Sequence, residues 1–342
     1  MQESPLDSSN LCAWCEHPKT GGTTCSNCGA DYAKAAAIKQ HGKVQVAAPD
    51  PSAASVTEIG YTVHVDDSSD GIEDPKLEKQ IRLFALPSML VVGFLVQVTG
   101  FGAGMQRIVF GMPVHELGHA TVAWLCGFNA IPTFWKTVSS GQRGMVASVL
   151  VFAGLLALAN YGRKKMQSGW IVLAAFLLVT QGIGTFMLSS RDAEMYIVFG
   201  GDAGGMVLAT ALMLSFYFGS DTQNYSGGLR WGFIGIGAAA FADMFMTWWR
   251  AADDRLAVPY GLTGGEPTDA FKLINYYTWS WEQLISRHVN VGIVCLIVLL
   301  IFYVWGIKQA NKLVEAKALA ESAASLSQGS QPLQESEESA LG

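Results

Sequence analysis

The sequence predicts an all-α protein, a bundle of about six or seven helices that cross a lipid bilayer. Two observations lead to this fold class. Half of the 342 residues are hydrophobic and only 15% are charged, whereas soluble domains carry about a quarter charged residues. The charged residues concentrate at the two ends of the chain, which give most of the net charge of −6. Because no basic stripe stands out, nucleic acid is not expected as a partner.

The first 35 residues contain two CxxC pairs, Cys12 with Cys15 and Cys25 with Cys28, separated by nine residues. Four thiolates at this spacing can close a tetrahedral shell around zinc, and such a closed site is structural. We therefore predict a zinc ribbon over 1–35, which could bind a regulator. Disulfides or a redox dithiol are the alternatives, and a reducing compartment disfavours the disulfides.

Residues 36–80 have the composition of a linker. Its central part is rich in Ala, Pro and Ser, and such a segment buries too little apolar surface to fold alone. The first residues of the chain are polar, and the first long apolar run begins near Leu83. A secretory signal peptide would place an apolar run near the start. We therefore expect the zinc ribbon to lie in the cytoplasm and the protein to reside in the cell membrane.

Residues 81–308 form the predicted membrane domain. A helix needs about 20 apolar residues to cross the hydrocarbon core, and seven stretches approach that length. The third stretch is short and the fifth begins in a glycine cluster, so either could be broken or re-entrant. The stretches are 83–103, 107–127, 145–161, 169–189, 196–218, 229–249 and 288–307.

Two further segments are predicted from their composition. The loop 250–287 carries aromatic residues that suit the headgroup region, so part of 268–287 is expected to lie on the membrane surface as a helix. Residues 309–342 are a polar tail. We expect this tail to begin as a short helical extension and to be disordered beyond it.

The second apolar stretch contains the motif His115-Glu116-Leu117-Gly118-His119. Two histidines four residues apart on a helix project from one face, and at this spacing both can ligate one zinc ion. Glu116 can then act as the general base that takes a proton from water. A chance match is the alternative, but three ionisable side chains in an apolar span are costly and usually functional. We therefore predict a catalytic zinc site.

The run from His115 to Ala120, followed by Ala123 and Gly127, resembles the site-2 protease family of intramembrane zinc metalloproteases. The resemblance rests on about residues 106–132. It implies hydrolysis of a peptide bond within or near the membrane, with Glu116 as the catalytic residue. The implied partners are the lipid bilayer and a membrane protein or peptide as the substrate.

The family resembled takes its third zinc ligand from an Asp followed by Gly on a later membrane helix. Asp202, in the glycine cluster 200–205, is the best match, although Ala203 stands between Asp202 and the next glycine. The alternative is that Asp202 caps the N-terminus of a helix. Asp243, within an apolar stretch, is the first rival as a ligand. The further rivals are Asp192, Glu194 and His288.

The predicted function is therefore that of an intramembrane zinc metalloprotease, in which His115, His119 and Asp202 hold the catalytic zinc. Two other functions remain open. One is a non-catalytic zinc-binding membrane scaffold, which would have no need of Glu116. The other is a metal transporter, which would need ionisable residues along a path through several spans. The sequence offers few such residues besides Asp202 and Asp243.

Overall fold

The computed structural model of the chain describes residues 74–218 and 228–329, together with Pro18, Thr23 and Cys25. Contacts divide the chain into two units, Met1–Val65 and Asp66–Gly342, and every element given below belongs to the second. The predicted zinc ligands Cys12, Cys15 and Cys28 lie outside the described residues, as do most of the predicted linker and the end of the tail. Cys25 is buried.

The second unit consists of helices and two short hairpins. The helices are α1 (Pro75–Val96), α2 (Gly100–Gln106), α3 (Met112–Leu125), α4 (Met145–Lys164), α5 (Ser168–Gly182), α6 (Ser190–Phe199), α7 (Asp202–Leu214), α8 (Leu229–Asp253), α9 (Asp269–Asn275) and α10 (Trp281–Gly329). The strands are β1 (Phe128–Pro132), β2 (Thr137–Arg143), β3 (Leu262–Thr263) and β4 (Glu266–Pro267). Short π-helical turns span Arg107–Gly111 and Ile183–Met187, and 3₁₀ turns span Ser215–Tyr217 and Arg255–Ala257.

The predicted class of an all-α bundle with several membrane-spanning helices is confirmed. Within 74–218 and 228–329, five helices are long and apolar enough to cross a membrane, or up to six if a bent pair counts as one span. The five are α1, α4, α5 with its π-helical end, α8 and α10, and the bent pair is α6 with α7. The predicted stretch 107–127 is helical too, but α3 has only 14 residues and is not among these spans.

The fifth predicted span is broken at its glycines, which is one of the two outcomes expected there. Helices α6 and α7 meet at 58° around Gly200 and Gly201. A side chain at Gly118 would overlap the carbonyl oxygens of both glycines. Gly118 therefore allows α3, which carries the histidine motif, to pack directly against the start of α7.

Residues 128–143 differ from the prediction, because they form a hairpin in a region for which no strand was predicted. Strands β1 and β2 pair antiparallel, with an irregularity between Phe128 and Ala130. The sequence of β2 is polar and largely exposed, so it lacks the alternation of apolar and polar residues that marks a half-buried strand.

The last helix also differs from the prediction, because it continues well past residue 308. Helix α10 has 49 residues, which corresponds to about 74 Å at the rise of an α-helix. The apolar part ends near residue 307, and beyond it Ala, Leu, Lys and Glu are common. These residues have high helix propensity, so the helix persists where the hydrophobic stretch stops.

The largest core lies between α1, α7, α8 and α10. Its fully buried side chains include Met206 on α7, Phe241 on α8 and Leu299 on α10. Helices α4 and α5 instead pack mainly against each other and leave apolar side chains such as Leu150 and Phe176 exposed. An apolar surface of this kind suits contact with lipid.

Candidate metal centre

Helix α3 presents the two motif histidines one turn apart, as their spacing predicts. The ring centroids of His115 and His119 lie 4.6 Å apart, and their Nε2 atoms lie 3.1 Å apart. Both side chains are largely buried. Glu116 is buried as well and lines the same cavity as the two rings. The three residues predicted from local spacing are thus brought together.

The Nδ1 atom of each imidazole faces a hydrogen-bond acceptor. His115 Nδ1 lies 2.7 Å from Oδ1 of Asp202 on α7, and His119 Nδ1 lies 2.7 Å from the carbonyl oxygen of Ile197 on α6. Carbonyl and ionised carboxylate oxygens only accept hydrogen bonds. Both Nδ1 atoms therefore donate, and in neutral rings both Nε2 atoms present lone pairs to each other.

Asp269 completes a group of three potential ligand atoms. Its Oδ2 lies 3.2 Å from His115 Nε2 and 3.0 Å from His119 Nε2. Asp269 is the first residue of α9, directly after the N-cap residue Thr268. These three side chains could hold one metal ion between them.

The spacing of the three atoms fits a divalent cation. When both rings are neutral, three lone pairs converge within 3.2 Å, and they repel unless a metal ion or a proton on one ring lies between them. In a tetrahedral zinc site with bonds of about 2.0–2.1 Å, the ligand atoms lie about 3.3 Å apart, which is close to the observed spacing. Burial alone would raise the pKa of the Asp269 carboxyl, but His119 and His115 hold that pKa well below its usual range. The carboxylate is therefore ionised at neutral pH.

Asp202 lies on the opposite side of the His115 ring from Nε2. Its Oδ1 contacts His115 Nδ1, and its Oδ2 accepts a hydrogen bond of 2.9 Å from Trp248 Nε1. The ligand role of Asp202 stays a prediction, because Asp269 occupies the position beside both Nε2 atoms. The alternative role as an N-cap is wrong, since the N-cap of α7 is Gly201.

Arg107 links Asp202 to a further buried acid, Asp243. Arg107 Nη1, on the π-helical turn before α3, lies 3.2 Å from Asp202 Oδ1 and 3.0 Å from Asp243 Oδ2. Gln97 Nε2 also contacts Asp243, at 3.4 Å. Gly111 makes room for this network, since a side chain there would overlap the Asp243 carboxylate. Asp243, the first rival as a zinc ligand, is thus engaged by Arg107 and Gln97.

The balance of charge around the cavity favours a cation. The carboxylates of Glu116, Asp202 and Asp269 line the cavity together with the two histidines, and Asp243 lies on the far side of Arg107. Against these four carboxylates, Arg107 contacts Asp202 and Asp243, and Lys272 contacts Asp269. A dication between the imidazoles would offset most of the remaining negative charge.

Replacing Arg107 with Gln should destabilise the protein by about 2 kcal/mol or more, because the change leaves two buried carboxylates without their shared counter-charge. The measurement is thermal or denaturant unfolding of the detergent-purified full chain. The double variant Arg107→Gln with Asp243→Asn should recover part of the loss, since it removes one of the unpaired charges. If Arg107→Gln is as stable as wild type, or the second change gives no recovery, the network does not contribute as described.

A cavity of about 490 Å³ opens over the three ligand atoms. Thr137 and Ser139 of β2 line one side of it, and β4 and α9 line the other. Thr137 Oγ1 donates a hydrogen bond of 2.7 Å to the backbone carbonyl of Glu116, which ties β2 to α3. Lys136 and Glu266 form an exposed ion pair of 2.6 Å between the two hairpins. The cavity is large enough for a short stretch of peptide.

The remaining rivals for the third ligand lie elsewhere or serve other contacts. The Asp192 carboxylate accepts a hydrogen bond from Ser189 at the start of α6, and Glu194 contacts the Tyr277 hydroxyl. Neither lines the cavity. His288 does line it, but its ring is not part of the three-residue metal group.

No family model, curated protein or solved structure matches the chain. The functional assignment therefore depends on the geometry of the site.

Proposed function

We propose that this protein is an intramembrane zinc metalloprotease, which hydrolyses peptide bonds of membrane-associated proteins or peptides. The observation that carries the proposal is the convergence of His115 Nε2, His119 Nε2 and Asp269 Oδ2 within 3.2 Å. Glu116 lies on the same helix and in the same cavity. Three protein ligands with one open position are typical of catalytic zinc sites, whereas structural zinc sites usually have four.

The residues around the cavity have different roles in the proposed hydrolysis. Zinc, when bound, polarises the scissile carbonyl and lowers the pKa of water. Glu116 accepts the proton of the attacking water and returns it to the leaving nitrogen as the C–N bond breaks. Asp202 and the Ile197 carbonyl accept hydrogen bonds from the two Nδ1 atoms. These bonds fix the tautomer of each ring and direct its Nε2 toward the ligand position.

The walls of the cavity favour an extended substrate. Among the described residues, β2 pairs only with β1, while Thr137 and Ser139 of β2 line the cavity. A peptide placed there can form main-chain hydrogen bonds with the unpaired edge of β2. A transmembrane substrate would have to unwind locally, because the peptide bonds of a helix are already hydrogen-bonded within it.

The other two functions considered from the sequence have less support. Cation transport is disfavoured because the fixed positive charge of Arg107 lies between Asp202 and Asp243 and would repel a passing cation. A non-catalytic scaffold leaves Glu116 without a role, and burying an unused carboxylate beside two metal ligands is costly.

The test combines zinc analysis with cleavage by the full chain in detergent. The His115→Ala/His119→Ala variant should contain about one zinc equivalent less than wild type, because zinc binding requires the imidazoles. Wild type should cleave an unfolded casein or a single-span model peptide. Excess 1,10-phenanthroline should abolish cleavage, and added zinc should restore it.

The predicted zinc ribbon provides the control for this experiment. The Cys12→Ser/Cys15→Ser variant should lose a different zinc equivalent and still show cleavage that phenanthroline inhibits. If the double histidine variant keeps the full zinc content of wild type, the metalloprotease proposal is wrong.

A further inference from the structure

His288 is a buried polar side chain that the proposed mechanism does not use. It lies near the start of α10, is only 2% exposed, and lines the cavity that also holds His115, Glu116 and Asp269. Its ring stacks on Trp248 with centroids 3.7 Å apart and an interplanar angle of 7°. The Phe199 ring packs edge-on against it at 4.6 Å. Two aromatic contacts therefore fix the orientation of the imidazole.

The tautomer of His288 is fixed as well. Its Nδ1 lies 2.8 Å from the backbone carbonyl oxygen of Leu284, and a carbonyl oxygen only accepts hydrogen bonds. Nδ1 therefore donates, and in the neutral ring Nε2 holds a lone pair. Among the described residues, no protein group donates a hydrogen bond to this Nε2. It is not among the fully buried polar atoms without a partner, and His288 lines the cavity, so its lone pair is open to a donor from whatever occupies the cavity.

Three of the N–H donors around the cavity are already engaged by protein acceptors. Lys136 pairs with Glu266, Lys272 Nζ lies 3.3 Å from Asp269 Oδ1, and Trp248 Nε1 donates to Asp202. A bound peptide, by contrast, brings backbone N–H groups into the cavity. The scissile amide is the peptide group that must approach the metal ligands, and its nitrogen carries one such donor.

We propose that His288 is a further catalytic residue, whose Nε2 accepts a hydrogen bond from the N–H of the scissile amide. The inference rests on the proposed protease function. The bond orients the leaving nitrogen so that its developing lone pair faces Glu116, which returns the proton. His288 adds no covalent step. In the hydrolysis a water O–H bond and the C–N bond break, a C–O bond forms, and Glu116 moves the water proton to the leaving nitrogen, while the amide N–H that faces His288 stays intact. His288 thereby selects amides over esters at the reacting position.

The test uses two peptide analogues that chelate zinc and differ in one atom. One is a phosphonamidate with P–NH at the scissile position, and the other is the matched phosphonate with P–O. Wild type should bind the phosphonamidate about tenfold more tightly, since one hydrogen bond distinguishes the two analogues. In His288→Phe, which keeps an aromatic ring against Trp248, the ratio of inhibition constants should fall toward one. In His288→Gln, whose side-chain oxygen can replace Nε2 as the acceptor, the preference should be largely retained.

Phe199→Leu tests the orientation of the ring, because it removes one of the two aromatic contacts to His288 without changing a polar atom. The ratio should fall partway toward one in this variant. Glu315→Gln, at an exposed position on the distal part of α10, is the control and should leave both inhibition constants unchanged. If both analogues bind wild type and His288→Phe with the same ratio, the role of His288 is refuted while the protease proposal stands. If neither analogue binds zinc-loaded wild type, the protease proposal itself fails. A thermal unfolding curve for each variant separates these outcomes from misfolding.

Discussion

Replacing Glu116 with Gln should reduce peptide hydrolysis by at least about a hundredfold, the usual contribution of a general base, while the zinc remains bound. Glu116 is buried within the cavity, but none of its atoms belongs to the three-residue metal group. The amide of Gln has nearly the same shape as the carboxylate and cannot accept a proton at neutral pH. Catalysis should therefore fail at proton transfer, with no loss of metal.

The measurement is cleavage of the casein or single-span peptide, paired with zinc analysis of the same preparation. Glu315→Gln is a suitable control, since Glu315 is an exposed acid on the distal part of α10 and should not affect cleavage. If Glu116→Gln cleaves as fast as wild type, the assignment of Glu116 as the general base is wrong. Loss of zinc in this variant would instead place Glu116 among the ligands.

Features that depend on local sequence were predictable. Apolar stretches of about 20 residues mark membrane helices whatever their tertiary neighbours, and the predicted bundle is confirmed at that level. The spacing of His115 and His119 fixes their common face on a helix, which is how the structure arranges them. The break at Gly200 and Gly201 also has a local cause, because glycine lowers the cost of leaving the helix.

Asp269 could not be found in the same way. It lies 150 residues from His119 along the chain, on the short helix α9 between two apolar spans. Its local sequence, Thr268-Asp269, is typical of any helix N-terminus and does not indicate a metal. Only the packing of α9 against α6 and α10 brings this carboxylate to the histidines. The hairpin β1–β2 was missed for a related reason, since its polar second strand is defined by pairing rather than by burial.

The sequence pattern around Asp202 predicted where this residue lies but not what it does. The glycine-flanked acid lies beside the motif histidines, and its contact with His115 is the closest that this histidine makes to any carboxylate. Which ring nitrogen an acid faces depends on side-chain geometry, and no spacing rule determines it. The sequence therefore identified the neighbourhood of Asp202 without fixing its role.

Replacing Asp269 with Asn should lower the affinity for zinc more than the same change at Asp202. Asp269 offers an oxygen beside both Nε2 atoms, so its loss removes a ligand. Asp202 binds the far nitrogen of His115, and loss of such an outer partner typically costs 10–100-fold in metal affinity. In Asp202→Asn, the amide N–H₂ would also face at least one of the donors Trp248 and Arg107. Two donors cannot hydrogen-bond each other, so this variant is expected to lose some affinity for zinc as well.

The comparison is best made with cobalt(II) in place of zinc, in the full chain carrying the Cys12→Ser/Cys15→Ser change so that only the membrane site reports. The visible absorption of cobalt follows its coordination, so Asp269→Asn should change the spectrum itself, whereas Asp202→Asn should mainly shift the binding curve. Asp253→Asn, at an exposed position at the end of α8, is the control and should change neither. The reverse ranking would make Asp202 the third ligand, as the family resemblance implies, and would leave Asp269 as an acid that only contacts the histidines. Because the two carboxylates lie on different sides of His115, a single series of spectra decides between them.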